Sequence, residues 1–317
     1  MHDENVKKLF KKGLDYIMYG VEEMSSFTTP DRNTPQPILE ANEKHLDKSI
    51  TYLHCGLEKI LKAKLADYHF AFIFSDIKSA DQTKFAEGTL YSVSPKESVD
   101  RLQRWHSIIN ENETNLIRKF SDIRNNLEHW FIEWDWIQQK NAQKSIFKML
   151  SFIIKFINEP ETFDIHAHEE FYEFFGEIVS NTKLINGYKD FRNNEIKDEI
   201  LNSTTNRDYL ISCPCCKEDT LKLVKNSLNT KQIKTSLCLF CGCNLDDGGW
   251  LQNEYTKKFL SKINTKWKCT YSGEDCIDGP LIALPDKEYF CLQCFKIDTK
   301  KKVKKQPSSI NSNREPD

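Results

Sequence analysis

HLDKSITYLHCGLEKILKAKL, residues 45–65, is the stretch on which the reading of the fold turns. Its apolar residues return every three or four positions, the period of a helix with one buried face. Upstream, Leu9, Leu14, Ile17 and Val21 give a first amphipathic helix, which FTTPDRNTPQP (27–37) ends with its run of Thr, Pro, Asp and Asn. Downstream, Phe70 to Pro95 is mixed in pattern and reads as irregular. Ser94-Pro95-Lys96-Glu97 then carries the signature of a helix start, with Ser at the N-cap, Pro in the first turn and Glu three residues on. A fourth helix runs through NETNLIRKFSDIRNNLEHWF (112–131), another covers 141–158, and two more are expected between 167 and 200. Residues 1–200 are therefore expected to form an all-α bundle. LNSTTNRDY (201–209) reads as a linker, 210–299 as short strands around cysteine pairs, and 300–317 as a basic, disordered tail. The fold class is mainly α with a small C-terminal α+β or β domain.

Composition limits what such a chain can be. It has 317 residues, 45 basic and 47 acidic side chains, and 20 Phe, 11 Tyr and 6 Trp, far more apolar bulk than a disordered chain carries. The most apolar run, MLSFIIKFI (149–157), is too short to span a bilayer, holds Lys155 and reads as a buried helix. MHDENVKKLFKKGL at the N-terminus has neither an apolar core nor a small-residue cleavage site, so a cytoplasmic protein is expected. In that compartment thiols stay reduced, and clustered cysteines point to metal. The charge is divided: 26 Lys+Arg face 33 Asp+Glu in residues 1–200 and 19 face 14 beyond, giving −7 and +5. Ten of the 11 cysteines lie beyond position 212.

Cys213-Pro-Cys-Cys216 and Cys238-Leu-Phe-Cys241 are two CxxC turns separated by 21 residues, the spacing of a four-thiolate zinc ribbon. Cys269, Cys276, Cys291 and Cys294 form a second, looser set with one further CxxC. Two structural Zn²⁺ ions per chain are expected, because four thiolates leave no open position for catalysis. Cys215 and Cys243 are each able to replace a neighbour as ligand, so membership stays open. The +5 charge and KKKVKK (300–305) suit a phosphate backbone, and equally a solvated tail.

One hexapeptide in the helical half departs from core-and-surface logic: Arg124-Asn125-Asn126-Leu127-Glu128-His129. At about 100° per residue Asn125 and His129 share a face, and the long Arg124 side chain must swing round to join them. Guanidinium, amide and imidazole together suit phosphodiester chemistry without a metal. His129 titrates near neutrality and can move a proton at a ribose 2′-hydroxyl or at the leaving oxygen, while Arg124 neutralises charge on phosphorus oxygens. Transesterification wants two acid/base groups, and a two-fold dimer would supply the second. The plain alternative makes both residues helix-end groups, Arg124 paired with an acid such as Asp122 and His129 capping carbonyls.

The hexapeptide, with Asn directly after Arg, resembles the RxxxxH motif of the HEPN family. Residues 45–65 resemble the long second helix of many bacterial HEPN proteins, and FIFSDIKSADQTKFAEGTLYSVSPKESVDRLQ (72–103) is similar to what precedes their motif helix. The resemblance covers roughly residues 40–135 and leaves the cysteine half outside it. It implies a helical bundle, typically dimeric, and often a metal-independent ribonuclease; Arg124 and His129 carry over as catalytic and Asn125 as the residue that orients them. Family members include toxins and antiphage defence effectors that cut RNA, while some relatives have lost activity and serve as binding modules. The expected partners are RNA, a second copy of the chain and an antitoxin or other regulator, with no membrane.

Other candidates carry less. His166-Ala-His168-Glu169-Glu170 has diverging histidines and no third ligand. Trp130, Phe131, Trp134 and Trp136 can stack on bases or seal a helix end, and His54 and Cys55 read as packing residues. No Walker loop, GxSxG elbow or HExxH occurs.

Overall fold

A computed structural model describes residues 4–129, 134–158, 169–205, 209–225, 233–243, 255, 259, 263–264, 267–269, 281–284, 288–292, 296–299 and 303–305. The chain divides into two compact units, Met1–Lys197 and Asp198–Asp317. Among the described residues it is mainly helical, with short strands and a cysteine cluster in the C-terminal part.

The first unit is organised by α1 (Glu4–Ser25) and α2 (Gln36–Tyr68). Phe10, Leu14, Ile17, Val21 and Met24 on α1, and Leu46, Ile50, Leu53, Leu57 and Ile60 on α2, are almost fully buried. Both sets step by four and three, the seam of two helices wound on each other, and each such side chain contributes about 1.5–3 kcal/mol by leaving water. Small residues bring the two backbones together. A Cβ on Gly13 would sit 2.7 Å from Ile60 Cδ1, and one on Gly56 would sit 2.7 Å from Ile17 Cγ1 and 3.0 Å from the Gly13 carbonyl. Ser49, one heptad before Gly56, donates its hydroxyl to the Gly20 carbonyl at 2.8 Å.

α2 begins nine residues before the stretch that announced it. Pro37, a breaker by sequence, sits in its first turn, where a missing N–H costs nothing. The 70–95 segment holds two 3₁₀ turns, Phe70–Ile73 and Ile77–Ser79, and a short α3 (Gln82–Glu87) closed by left-handed Gly88. The capping box at Ser94 is formed: Glu97 N–H donates to Ser94 Oγ at 3.2 Å and Ser94 N–H to Glu97 Oε2 at 2.8 Å, opening α4 (Pro95–His106). α5 (Glu111–His129) carries the hexapeptide, and α6 (Trp136–Asn158) buries most of the 149–157 run while Lys155 stays exposed. No helix among the described residues is long and apolar enough to cross a membrane. Gln139, fully buried on α6, donates to the carbonyls of Leu39 and Trp134 and accepts from Asn42, tying α2 to the start of α6.

α7 (Glu169–Thr182) and α8 (Tyr188–Thr205) follow. The expected linker at 201–209 is therefore helical through Thr205, and Tyr209 already opens β1. A polar composition is as compatible with a helix as with a coil.

In the second unit β1 (Tyr209–Ile211), β2 (Leu221–Lys225) and β3 (Ile233–Cys238) form an antiparallel sheet in that order. β4 (Ile263–Asn264), β6 (Leu281–Ala283), β7 (Glu288–Cys291) and β8 (Ile297–Thr299) form a second sheet. β5 (Trp267–Cys269) pairs with β9 (Val303–Lys305), Cys269 opposite Val303. Part of the expected disordered tail is thus a strand. Main-chain pairing is indifferent to side-chain charge, so a lysine-rich composition does not preclude a strand.

Candidate functional site

The cysteine cluster is built from two chain turns with the same backbone. In the first, Cys213 N–H donates to the carbonyl of Glu218 five residues on, and Lys217 N–H returns to the Cys213 carbonyl, each at 2.8 Å. In the second, Cys238 N–H donates to the Cys243 carbonyl and Gly242 N–H to that of Cys238, again at 2.8 Å. The residue after each CxxC is left-handed, Lys217 at φ 63° and Gly242 at φ 72°. One turn joins β1 to β2 and the other follows β3; because Leu221 pairs with Cys238 across the ladder, the two turns meet at one end of the sheet.

There the four expected sulfurs converge. Cys213 Sγ lies 3.7 Å from Cys241 Sγ and Cys216 Sγ 3.6 Å from Cys238 Sγ, with all four within 4.8 Å of one another and buried. Four thiolates about 2.3 Å from a tetrahedral ion would be spaced about 3.8 Å apart, so the cluster is already the size of a metal site. The set could hold a metal ion, as its spacing predicted. Cys241 N–H and the Thr220 hydroxyl lie 3.5 and 3.3 Å from Cys238 Sγ. Burial pushes Cys213 and Cys241 well above the usual thiol range. Burial also acts on Cys238, but hydrogen bonds from the neighbouring thiols outweigh it and pull Cys238 well below that range. A cation bound by the four sulfurs displaces the thiol protons, because thiolates are the ligands.

Cys215 and Cys243 are not bystanders. Cys213, Cys215 and Cys243 form a second group within 4.8 Å that shares Cys213 with the first. Of the looser set, Cys291 is buried at the end of β7, and its N–H donates to the Lys296 carbonyl at 2.9 Å, repeating the five-residue bond of the other two turns. Cys269 lies on β5, while its side chain and all of Cys276 and Cys294 fall outside the described residues.

In the helical unit Arg124 and Asn125 lie on α5, and Arg124 Nη1 donates to Asn125 Oδ1 at 3.2 Å. Arg124 also forms an ion pair with Glu128, one turn on, rather than with Asp122. His129 is the last residue of α5 and its side chain is outside the described residues, as are Trp130, Phe131 and His166 to His168. The structure brings Arg124 beside a residue read as packing: His54 of α2 has Nε2 3.2 Å from Ser121 Oγ, one turn before Arg124. Ser121 gives its own proton to the Ile117 carbonyl, so the imidazole donates through Nε2. Its Nδ1 then carries a lone pair, buried without a hydrogen-bond partner, as is the Arg124 Nε donor. Burial, then the Arg124 charge, hold His54 below the usual histidine range, so it is neutral at pH 7. Nothing in the spacing of α2 marked His54, because its neighbours lie on a helix 67 residues away.

Two cavities are described in this unit. One, of about 580 Å³ between α5, α6 and α8, is lined by Lys119, Lys148, Lys155 and Arg192 among others; the second, of about 480 Å³, by Lys8, Lys12, Lys59 and Lys62. Arg124 lines neither. Comparison with protein-family models, curated proteins and solved structures finds no match for the chain.

Proposed function

We propose that the helical unit is a HEPN-type endoribonuclease that cuts RNA by 2′-hydroxyl transesterification without a metal, acting as a homodimer, in the manner of a toxin or antiphage effector. His129 moves the proton, Arg124 neutralises the phosphorane oxygens, and Asn125 holds the guanidinium in place. The cysteine unit binds zinc structurally and recognises RNA or a protein partner. The observation that carries the reading is the state of Arg124, at the end of the helix that His129 terminates. Its Nε donor is buried and unused, a neutral histidine lies near, and it lines neither of the two described cavities. A second subunit facing it would supply a shared cleft and a second acid/base group.

A 2′-oxygen attack expels the 5′-oxygen and leaves a 2′,3′-cyclic phosphate, which is the product to seek. Wild-type protein, Arg124→Ala and His129→Ala are incubated with RNA in excess EDTA. Cleavage by wild type alone supports the reading, and identical behaviour of all three overturns it.

The ion pair with Glu128 favours a second reading, a non-catalytic dimeric adaptor in which Arg124 is neutralised within its own helix and the cysteine unit does the binding. The variants separate the two: an adaptor releases no cyclic phosphate in any of them.

A further inference from the structure

The first four-thiolate set leaves Cys215 and Cys243 over, and neither stands apart from it. Cys243 is completely buried, Cys215 is half-buried, and with Cys213 they lie within 4.8 Å of one another. The Cys241 thiol also interacts with both of them. Six sulfurs thus fall into two overlapping groups around a common member. Two spare thiols beside a four-thiolate site have a simple packing role, but packing does not require all three sulfurs of the second group to converge as ligands do.

We propose that Cys213, Cys215, Cys216, Cys238, Cys241 and Cys243 hold two divalent, thiophilic ions of the zinc class as one cluster, with Cys213 as a thiolate bridging both. Cys216, Cys238 and Cys241 complete the first ion. Cys215 and Cys243 bind the second together with Cys213.

Charge selects the valence. One divalent ion on four thiolates carries two negative charges. A second divalent ion brought in with two further thiolates leaves that total unchanged, whereas a monovalent ion such as Cu(I) would add a third negative charge to a buried site. Each thiol that becomes a ligand gives its proton to solvent, so loading the second ion releases two. The +5 charge of residues 201–317 accommodates the residual negative charge at longer range.

The inference rests on the four-thiolate metal reading and is independent of the ribonuclease reading. The full chain is loaded with zinc and its bound ions counted by native mass spectrometry beside Cys215→Ser/Cys243→Ser. The expected result is one ion fewer in the double variant, whatever Cys269, Cys276, Cys291 and Cys294 contribute to both proteins. Equal counts overturn the shared cluster, and a wild-type protein that binds no zinc overturns the four-thiolate reading as well. Should the double variant fail to fold, wild type loaded with ¹¹³Cd decides: Cys213 β-protons coupled to two cadmium nuclei support the bridge, and coupling to one refutes it.

Discussion

Replacing Gly56 by Ala tests the close approach of α1 and α2, on which the position of His54 depends. In an unconstrained helix the change stabilises by about 1 kcal/mol, because glycine is a poor helix former. Here the new methyl would lie 2.7 Å from Ile17 Cγ1, 3.0 Å from the Gly13 carbonyl and 3.1 Å from the Ile17 nitrogen. The side-chain contact can rotate away, but the backbone contacts require the helices to separate. Overpacking of this kind costs about 1–3 kcal/mol, and at a helix–helix seam we place it in the upper half of that range. The net expectation is a loss of about 1–2 kcal/mol, or roughly 2–8 °C in melting temperature for a unit of this size. Gly176 supplies the control: it lies on α7 with nothing within 4 Å of an added methyl, so Gly176→Ala should raise the melting temperature by about 1–4 °C. Thermal melts followed at the helical circular dichroism band read both. If Gly56→Ala stabilises as much as Gly176→Ala does, the helices do not meet through their backbones and the reasoning is refuted.

Asp47 is pushed up to about 6 by burial and then by Glu43, with Oδ1 unpartnered. A raised carboxyl favours the fold while protonated, so this contribution is lost as pH rises from about 4 to about 6. Asp47→Asn should therefore stabilise by up to about 1 kcal/mol at pH 8, after allowance for screening, and by nothing near pH 4; a pH-independent effect in denaturant melts would contradict it. Glu128→Gln frees the Arg124 guanidinium, and on the nuclease reading cyclic-phosphate release should rise about two- to tenfold; a fall would make the ion pair part of the active arrangement. Cys238→Ser removes the thiol that most favours ionisation. Zinc retention by the cysteine unit should drop by at least tenfold in competition with a chelator, with the helical signal unchanged.

The helices were legible because each buries one face, and burial writes its period into the chain; the Ser94 box was legible because both of its bonds are local. Boundaries were not: α2 starts early because Pro37 fits a first turn that sequence reads as a break. The first metal set was legible because two sulfurs three residues apart converge in any tight turn. The second group was hidden, since Cys213, Cys215 and Cys243 are brought together by strand pairing. His54 was hidden for the same reason, its role decided by a neighbouring helix.

The two cysteine turns share a backbone but differ at one residue. Gly242 adopts its left-handed conformation freely, whereas Lys217 must be forced into it at a cost of about 1–2 kcal/mol. An incoming ion should accordingly meet the Cys238–Cys241 turn already shaped and be captured there, with the Cys213–Cys216 turn closing over it afterwards. Loading would then have an order, and Lys217→Gly should shorten its slower phase in a stopped-flow experiment with Co²⁺, while an unchanged rate would place the slow step elsewhere.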